Sequence, residues 1–373
     1  MLRNILTVFM FLVFSYGYPM EYLSLSLDEL NQAIEKDPRN ATLYANRAGV
    51  YFMQQGKHQE ALDDLTKAST LDPKDYDIFF SRGIVYTLMG RWREALADFN
   101  SSLQLNPSYA PAYYRRGNIY HALEEPQRAI ESYNQAVILD PEYVDAYYMR
   151  GDTYVGLEKY QEAIRDMSLV VKLQPQRVKA YYALGLCYFN LGYVQNAFDN
   201  LSKTIEMDPK HAEAYAWRGL LNSNTGKIND ALTDLNRAIG LNPQIALARF
   251  ARGLVYFEQN KLQEALAEYD ATISLHKNDE AVYNARAAVY FRLEKYQESL
   301  NDLNQAFKIE PNFEAAYSNR GRLYYTLGKY KEALADLNKA ISLDASDADA
   351  YKERGQTYQA LADQTKDKKQ KTD

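Results

Sequence analysis

Cys187 and the four histidines, His58, His121, His211 and His276, are the side chains best suited to nucleophilic or metal chemistry. Their spacing supports neither. A single cysteine excludes an internal disulfide and a multi-cysteine metal site. The histidines are too scattered in the chain to suggest a zinc cluster. The phosphate-loop pattern GxxxxGK[ST], the dinucleotide fingerprint GxGxxG, and the catalytic signatures HExxH and GxSxG are all absent. Cys187 occupies a place that equivalent segments fill with Val, Ile, Leu or Thr, so it reads as a small core residue. His121 has no acid or nucleophile partner in the pattern and reads as a contact residue. These residues predict a non-catalytic protein with no cofactor and no bound metal. The formal net charge of −6 offers no basic excess to neutralise phosphates, which argues against nucleic acid as a partner.

What remains is recognition, and its raw material is tyrosine. The 373-residue chain has 33 tyrosines, which lift the aromatic fraction to 13%. Their places follow a clock. Pro38, Pro73, Pro107, Pro141, Pro175, Pro209, Pro243 and Pro311 recur at intervals of about 34 residues or twice that, and Lys277 stands where one proline is missing. Gly83, Gly117, Gly151, Gly185, Gly219, Gly253, Gly321 and Gly355 keep the same period, with Ala287 in the gap. A third register is alanine, at 95, 129, 163, 197, 231, 265 and 333, with Ser299 as its exception. If the proline is given position 32 of a unit, glycine falls at 8 and alanine at 20. Tyrosine then dominates positions 4 and 11.

Within each unit the apolar residues recur at spacings of three and four on two separate stretches, so each unit reads as two amphipathic helices. In the last full unit the stretches are Ala316 to Leu327 and Tyr330 to Leu343, broken by Gly328 and Lys329. Proline ends the second helix because it cannot continue the hydrogen-bond ladder. Small residues at 8 and 20 let the two axes approach, and the tyrosines at 4 and 11 fill the space beside them. An arginine at position 7 (for example Arg82, Arg150 and Arg320) faces an acid at position 23 (Asp98, Asp166 and Asp336). That pattern predicts an ion pair between the two helices of a unit. Leu184 and Asn200 depart from it together.

This pattern resembles the tetratricopeptide repeat family over about 22–361, through Tyr at 4, Gly at 8, Tyr at 11, Ala at 20, an aromatic residue or leucine at 24, Ala at 27 and Pro at 32. The resemblance implies an all-α fold, a right-handed superhelical solenoid of stacked helix–turn–helix repeats. It also implies a scaffold that binds a protein or peptide partner in a concave groove. In that family positions 2, 5, 9, 12 and 13 face the groove. Carried onto this chain, they give Phe80, Tyr114, Asn118, His121, Tyr148, Asp152, Tyr182, Phe189, Asn190, Phe250 and Phe257 as candidate peptide-binding residues. These rings either take side chains of an extended ligand or pack against neighbouring helices. A glycan or other ligand stacking on them is a further alternative. The clamp that chaperone-binding members use for a terminal carboxylate keeps only Asn118 and Lys179, with Tyr114, Met149 and Ala183 in its other places, so that mode is rejected.

The ends differ in material. Residues 1–17 combine Arg3, an apolar run over 5–14 and the small residues Ser15 and Gly17, the layout of a signal peptide. The expected location is extracytoplasmic, in a periplasm or secretory pathway. If this segment is not cleaved it becomes a short anchor, and the protein a membrane-tethered assembly or secretion factor. The expected organisation is then a partial repeat over 18–40, nine repeats over 41–347, a capping helix over 348–361 and a disordered charged tail over 362–373. Ser26 and Glu29 form an expected capping box.

Overall fold

The computed structural model describes residues 25–54 and 56–370, and the segment read as a signal peptide or anchor lies outside them. Every element among the described residues is an α-helix. The chain divides into two compact units, Met1–Leu191 and Gly192–Asp373.

In the first unit α1 (Leu27–Lys36) precedes four helix pairs. These are α2 (Ala41–Met53) with α3 (His58–Leu71), α4 (Tyr76–Leu88) with α5 (Trp92–Leu105), α6 (Ala110–Ala122) with α7 (Pro126–Leu139), and α8 (Val144–Gly156) with α9 (Tyr160–Leu173). The unit closes on α10 (Val178–Asn190). The second unit opens on α11 (Val194–Met207). Its pairs are α12 (Ala212–Asn224) with α13 (Ile228–Leu241), α14 (Ala246–Glu258) with α15 (Leu262–Leu275), α16 (Glu280–Arg292) with α17 (Tyr296–Ile309), and α18 (Glu314–Thr326) with α19 (Tyr330–Leu343). The last helix is α20 (Ala348–Gln370). Inside each unit every helix packs on the one before it.

The turn inside each pair has one strict requirement. Position 15 is left-handed in every repeat. Gly56, Gly90, Gly192, Gly226 and Gly328 supply it without strain, whereas Glu124, Glu158, Asn260 and Glu294 adopt φ of 57 to 58°. The first repeat has one extra residue in this turn, since four residues separate Met53 from His58. Between pairs, the residue before the proline turns its side chain back onto the chain. Asp72 Oδ1 accepts from the backbone N–H of Lys74, and Asn106, Asp140, Asp208 and Asn242 repeat the bond. This explains the Asp-Pro and Asn-Pro pairs. Where Lys277 replaces proline, Asp279 Oδ1 instead accepts from the N–H groups of Ala281 and Val282 and caps α16.

Glycine at position 8 is required by close approach. A Cβ on Gly83 would lie 2.7 Å from the Phe99 ring, and one on Gly253 would lie 2.5 Å from Tyr269. The residue at position 24 therefore sits directly over the glycine, rather than the tyrosines at 4 and 11. The tyrosines have another task. Tyr317 and Tyr324 flank the Arg320 guanidinium, 5.6 and 5.9 Å from their centroids, as Tyr283 and Tyr290 flank Arg286. The spacings 4, 7 and 11 put the three side chains on one stripe of a helix. The Tyr317 hydroxyl also donates to the carbonyl of Pro311, six residues back. Arg249, which replaces tyrosine at position 4, gives the same bond from Nε to the Pro243 carbonyl.

The capping box of Ser26 and Glu29 is formed at the start of α1. The C-terminal boundary differs from the expectation. The helix does not stop at 361 but runs to Gln370, so most of the segment read as a disordered tail is helical. No glycine or proline falls in residues 356–370, and Gln359 to Asp363 and Thr365 to Leu361 add hydrogen bonds at four-residue spacing.

Candidate partner-binding faces

The arginines at position 7 organise both units. Arg82 Nε donates to Asp98 Oδ2 at 2.7 Å and its terminal nitrogen to Asp98 Oδ1 at 2.8 Å. The same two-pronged pair joins Arg47 to Asp64, Arg150 to Asp166, Arg218 to Asp234, Arg286 to Asp302 and Arg320 to Asp336. Sequence periodicity predicts these pairs but not the second bond. The remaining nitrogen reaches back sixteen residues to the preceding pair. Arg150 donates to Asn134, Arg252 to Asn236, Arg286 to Asp270 and Arg320 to Asn304. Each such guanidinium ties its own repeat shut and holds it to its predecessor. These carboxylates and cations are therefore structural, and a ligand has to be met elsewhere.

The candidate groove residues fall into three groups. Phe80 is buried, 5.8 Å from the Phe99 ring and 5.0 Å from Tyr109, so it is a core residue and not part of an open surface. The cause is Tyr109, whose ring closes over position 5 from the start of the next pair. Tyr114 packs between Tyr133 and Tyr143, and Phe250 lies 5.9 Å from Tyr269, both half-buried. Tyr148 lies under the Arg177 guanidinium at 4.4 Å, and burial, aided by the charge of Asp152, raises its hydroxyl pKa. Tyr182 and Phe189 are half-buried on α10, and Asn190 is exposed.

The polar members meet in one place in the first unit. Tyr133 donates its hydroxyl to Asn118 Oδ1 at 2.9 Å. Burial raises the Tyr133 pKa and keeps this donor neutral. His121 bridges to the next pair, with Nδ1 3.1 Å from Thr153 Oγ1 and Nε2 3.9 Å from Asp152. Arg177 likewise reaches Asp145 at 2.6 Å. Cys187 is buried and its thiol is pushed up to about 11 by burial, which suits a packing residue.

In the second unit a cavity of about 100 Å³ opens on the face formed by the first helices of the pairs. Phe257, Ala288 and Phe291 form its apolar wall, and Arg292, Asn319 and Arg322 its polar edge. Small residues line it on α16, where Ala288 stands in place of Leu254 and Arg322 of the neighbouring repeats. Its floor is Ala287 and Ser299, the two exceptions to the small-residue registers, and Ser299 Oγ donates to the Ala287 carbonyl at 2.9 Å. Arg292 stacks on Phe257 at 4.9 Å and donates one N–H to Asn260. Arg322 gives its Nε–H to Glu353, whose carboxyl pKa is raised by burial. Of these residues sequence reasoning singled out only Phe257. The signal for the rest was available, since positions 9, 12 and 13 of the next two repeats contain Ala288, Phe291, Arg292 and Arg322. Among the described residues no group of His, Cys, Asp and Glu is placed to hold a metal. No described helix is long and apolar enough to cross a membrane.

A TPR repeat family model matches residues 52–90, 85–124, 288–328 and 321–361. Two tetratricopeptide repeat models match 110–143, and 148–212 with 223–280. The chain belongs to the tetratricopeptide repeat family. Tetratricopeptide repeat protein 28 of Mus musculus is 43% identical over 54 residues, which is 14% of this chain and 2% of that protein. Its Homo sapiens counterpart is 41% identical over the same length. The match thus spans only about 2% of these relatives. The crystal structure of the APC/C hetero-tetramer Cut9-Hcn1 superposes with a TM-score of 0.59 at 18% identity, covering 94% of this chain and 69% of that one. That likeness is one of fold. Tetratricopeptide repeat proteins are in general non-catalytic scaffolds for protein partners.

Proposed function

We propose that this tetratricopeptide repeat protein binds an extended segment of a partner protein along the groove face, and that an acidic side chain of that segment seats in the cavity of the second unit. The observation that supports this is the pairing of Phe257 and Phe291 with two guanidiniums, Arg292 and Arg322, around one cavity. A guanidinium has five N–H donors, and each of these two commits one of them to a neighbouring side chain. Donors therefore remain for a carboxylate, while the rings exclude water from one side of it and strengthen the bond. The aromatic and amide residues of the first unit, Tyr114, Asn118, His121, Tyr148 and Asp152, form a proposed recognition surface of that unit.

Selection of a displayed peptide library on the full chain tests this reading. Enriched sequences should carry Asp or Glu, and Arg292→Ala with Arg322→Ala should lower their affinity about tenfold or more. Peptides that bind the double variant as well as the parent would overturn it. For location we propose an extracytoplasmic protein, on the strength of the apolar run at 5–14 behind Arg3. N-terminal sequencing of the mature protein tests this. A start near residue 18 supports it, and an intact Met1 favours the tethered form.

A further inference from the structure

Three departures from the repeat pattern meet at one point of the first unit. Position 9 is apolar at Ile84, Leu186, Leu220 and Leu254, but on α8 it is Asp152. Position 10 is Val85, Ile119, Cys187 and Leu221 in other repeats, and Thr153 here. Position 12 of the preceding pair is His121 on α6, where Val155, Phe189 and Phe257 are its equivalents. The hydrogens can be assigned in turn. Thr153 Oγ1 donates its one hydrogen to the Met149 carbonyl at 2.7 Å, so it can only accept from His121 Nδ1 at 3.1 Å. That bond holds the imidazole proton on Nδ1. Nε2 of the neutral ring then presents a lone pair, and it faces Asp152 Oδ2 across 3.9 Å. Two acceptors thus face one another, and no side-chain donor of the described residues bonds to either. The neighbours are engaged with other groups. Tyr133 gives its hydroxyl to Asn118, Arg177 gives an N–H to Asp145, and Arg115 lies over the Tyr114 ring at 5.7 Å. Burial is the main cause of the raised pKa of Tyr133 and Tyr148, and the unneutralised charge of Asp152 adds to both. The His121 and Asp152 side chains are 38% and 46% exposed, so a ligand can reach them.

We infer that Asp152 and His121 together receive the ammonium group of a lysine on the partner segment. Two facing acceptors call for a donor with at least two hydrogens, and the carboxylate calls for a positive charge. A nitrogen about 2.8 Å from each atom would see them about 90° apart, close to the spread of two N–H bonds of an ammonium. A carboxylate or carbonyl of the partner would meet only lone pairs here. Thr153 is the positioning residue, because its hydroxyl fixes which imidazole nitrogen accepts. This inference rests on the reading that the first unit binds an extended partner segment. It gives that unit a preference for a base, opposite in sign to the preference proposed for the cavity of the second.

The test is selection of a displayed peptide library on the full chain at pH 8, where an ordinary imidazole is neutral. Three variants stand beside the parent: Arg292→Ala with Arg322→Ala, Asp152→Asn, and His121→Phe. Lysine should be enriched on the parent and on the arginine double variant, and not on the other two. Asp152→Asn is isosteric, and an unchanged melting temperature confirms that the fold is intact. One enriched peptide is then made with lysine and with Nε-acetyllysine at the selected place. Acetylation removes the charge without touching the chain, so it should weaken binding to the parent about tenfold or more and change little on Asp152→Asn. A selection without lysine, or lysine enrichment that survives Asp152→Asn, would overturn the proposal. A loss on acetylating the peptide's N-terminus instead of its lysine would assign the pair to a terminal amine and overturn it too. Lysine enriched without Asp or Glu would support this site while overturning the reading of the cavity. No enriched peptide at all would overturn the groove reading and this inference with it.

Discussion

Arg320 and Asp336, sixteen residues apart on α18 and α19, are joined by two parallel hydrogen bonds of 2.7 and 2.9 Å. The arginine side chain is 19% exposed and the aspartate 10%. Water therefore competes weakly for the pair, and the planar fork satisfies both carboxylate oxygens at once. A double-mutant cycle with Arg320→Met and Asp336→Asn should give a coupling of about 1–2 kcal/mol in urea denaturation. Asp336→Asn alone should cost about 2 kcal/mol, because it leaves a half-buried cation with one poor acceptor. A coupling indistinguishable from zero would reduce the ladder to two independent charges.

Gly253 and Gly355 share one register and should respond in opposite directions to the same substitution. Gly253→Ala forces a methyl within 2.5 Å of the Tyr269 ring, and overpacking of this kind costs about 1–3 kcal/mol. Gly355→Ala meets open space and should gain up to about 1 kcal/mol from helix propensity. Chemical denaturation of the two variants beside the parent checks this, and a loss at both positions would contradict it.

Glu158 holds a left-handed backbone with φ of 57° in the turn between α8 and α9. The left-handed conformation costs an L-residue roughly 1–2 kcal/mol, and glycine returns part of that as unfolded-state entropy. Glu158→Gly should therefore stabilise the protein by about 0.5–1 kcal/mol, whereas Gly90→Ala should destabilise it by a similar amount. Thermal melts read both signs.

Asp77 is buried at the start of α4, and its carboxyl is pushed up to about 6 by burial and by the charge of Asp75, against the hydroxyls of Tyr109 and Tyr76. Its folded pKa thus exceeds the unfolded value of about 3.9. Between these values the native state holds the proton more tightly, so stability falls as pH rises from about 4 to 6 and then levels off. The cost at pH 8 is at most about 3 kcal/mol. Asp77→Asn should recover most of it at pH 8 and change little at pH 4. An equal gain at both values would show that the carboxylate charge is not its source.

The positions of the helices were legible from the chain alone, because a repeat stacks identical solutions of one packing problem and each solution leaves its mark at a fixed interval. Proline at 32, glycine at 8 and the acid at 23 are local requirements, of chain termination, close approach and charge pairing. A local requirement recurs in sequence with the period of the fold. The arginine–aspartate pairs were legible for the same reason.

Other features arise between repeats, where no fixed interval records them. The burial of Phe80 depends on Tyr109 swinging over it from the next pair. The cavity beside Phe257 is lined by the small residues Ala287 and Ala288 of α16 and Ser299 of α17 between Arg292 of α16 and Arg322 of α18, and no one helix shows that coincidence. The length of α20 is not legible in the chain because charge and polarity resemble disorder, while the hydrogen bonds at four-residue spacing that continue the helix need its geometry to be seen. Periodicity along the chain thus places each helix and its inward face. The open faces, and the side chains that meet across them, come from how one pair of helices leans on the next.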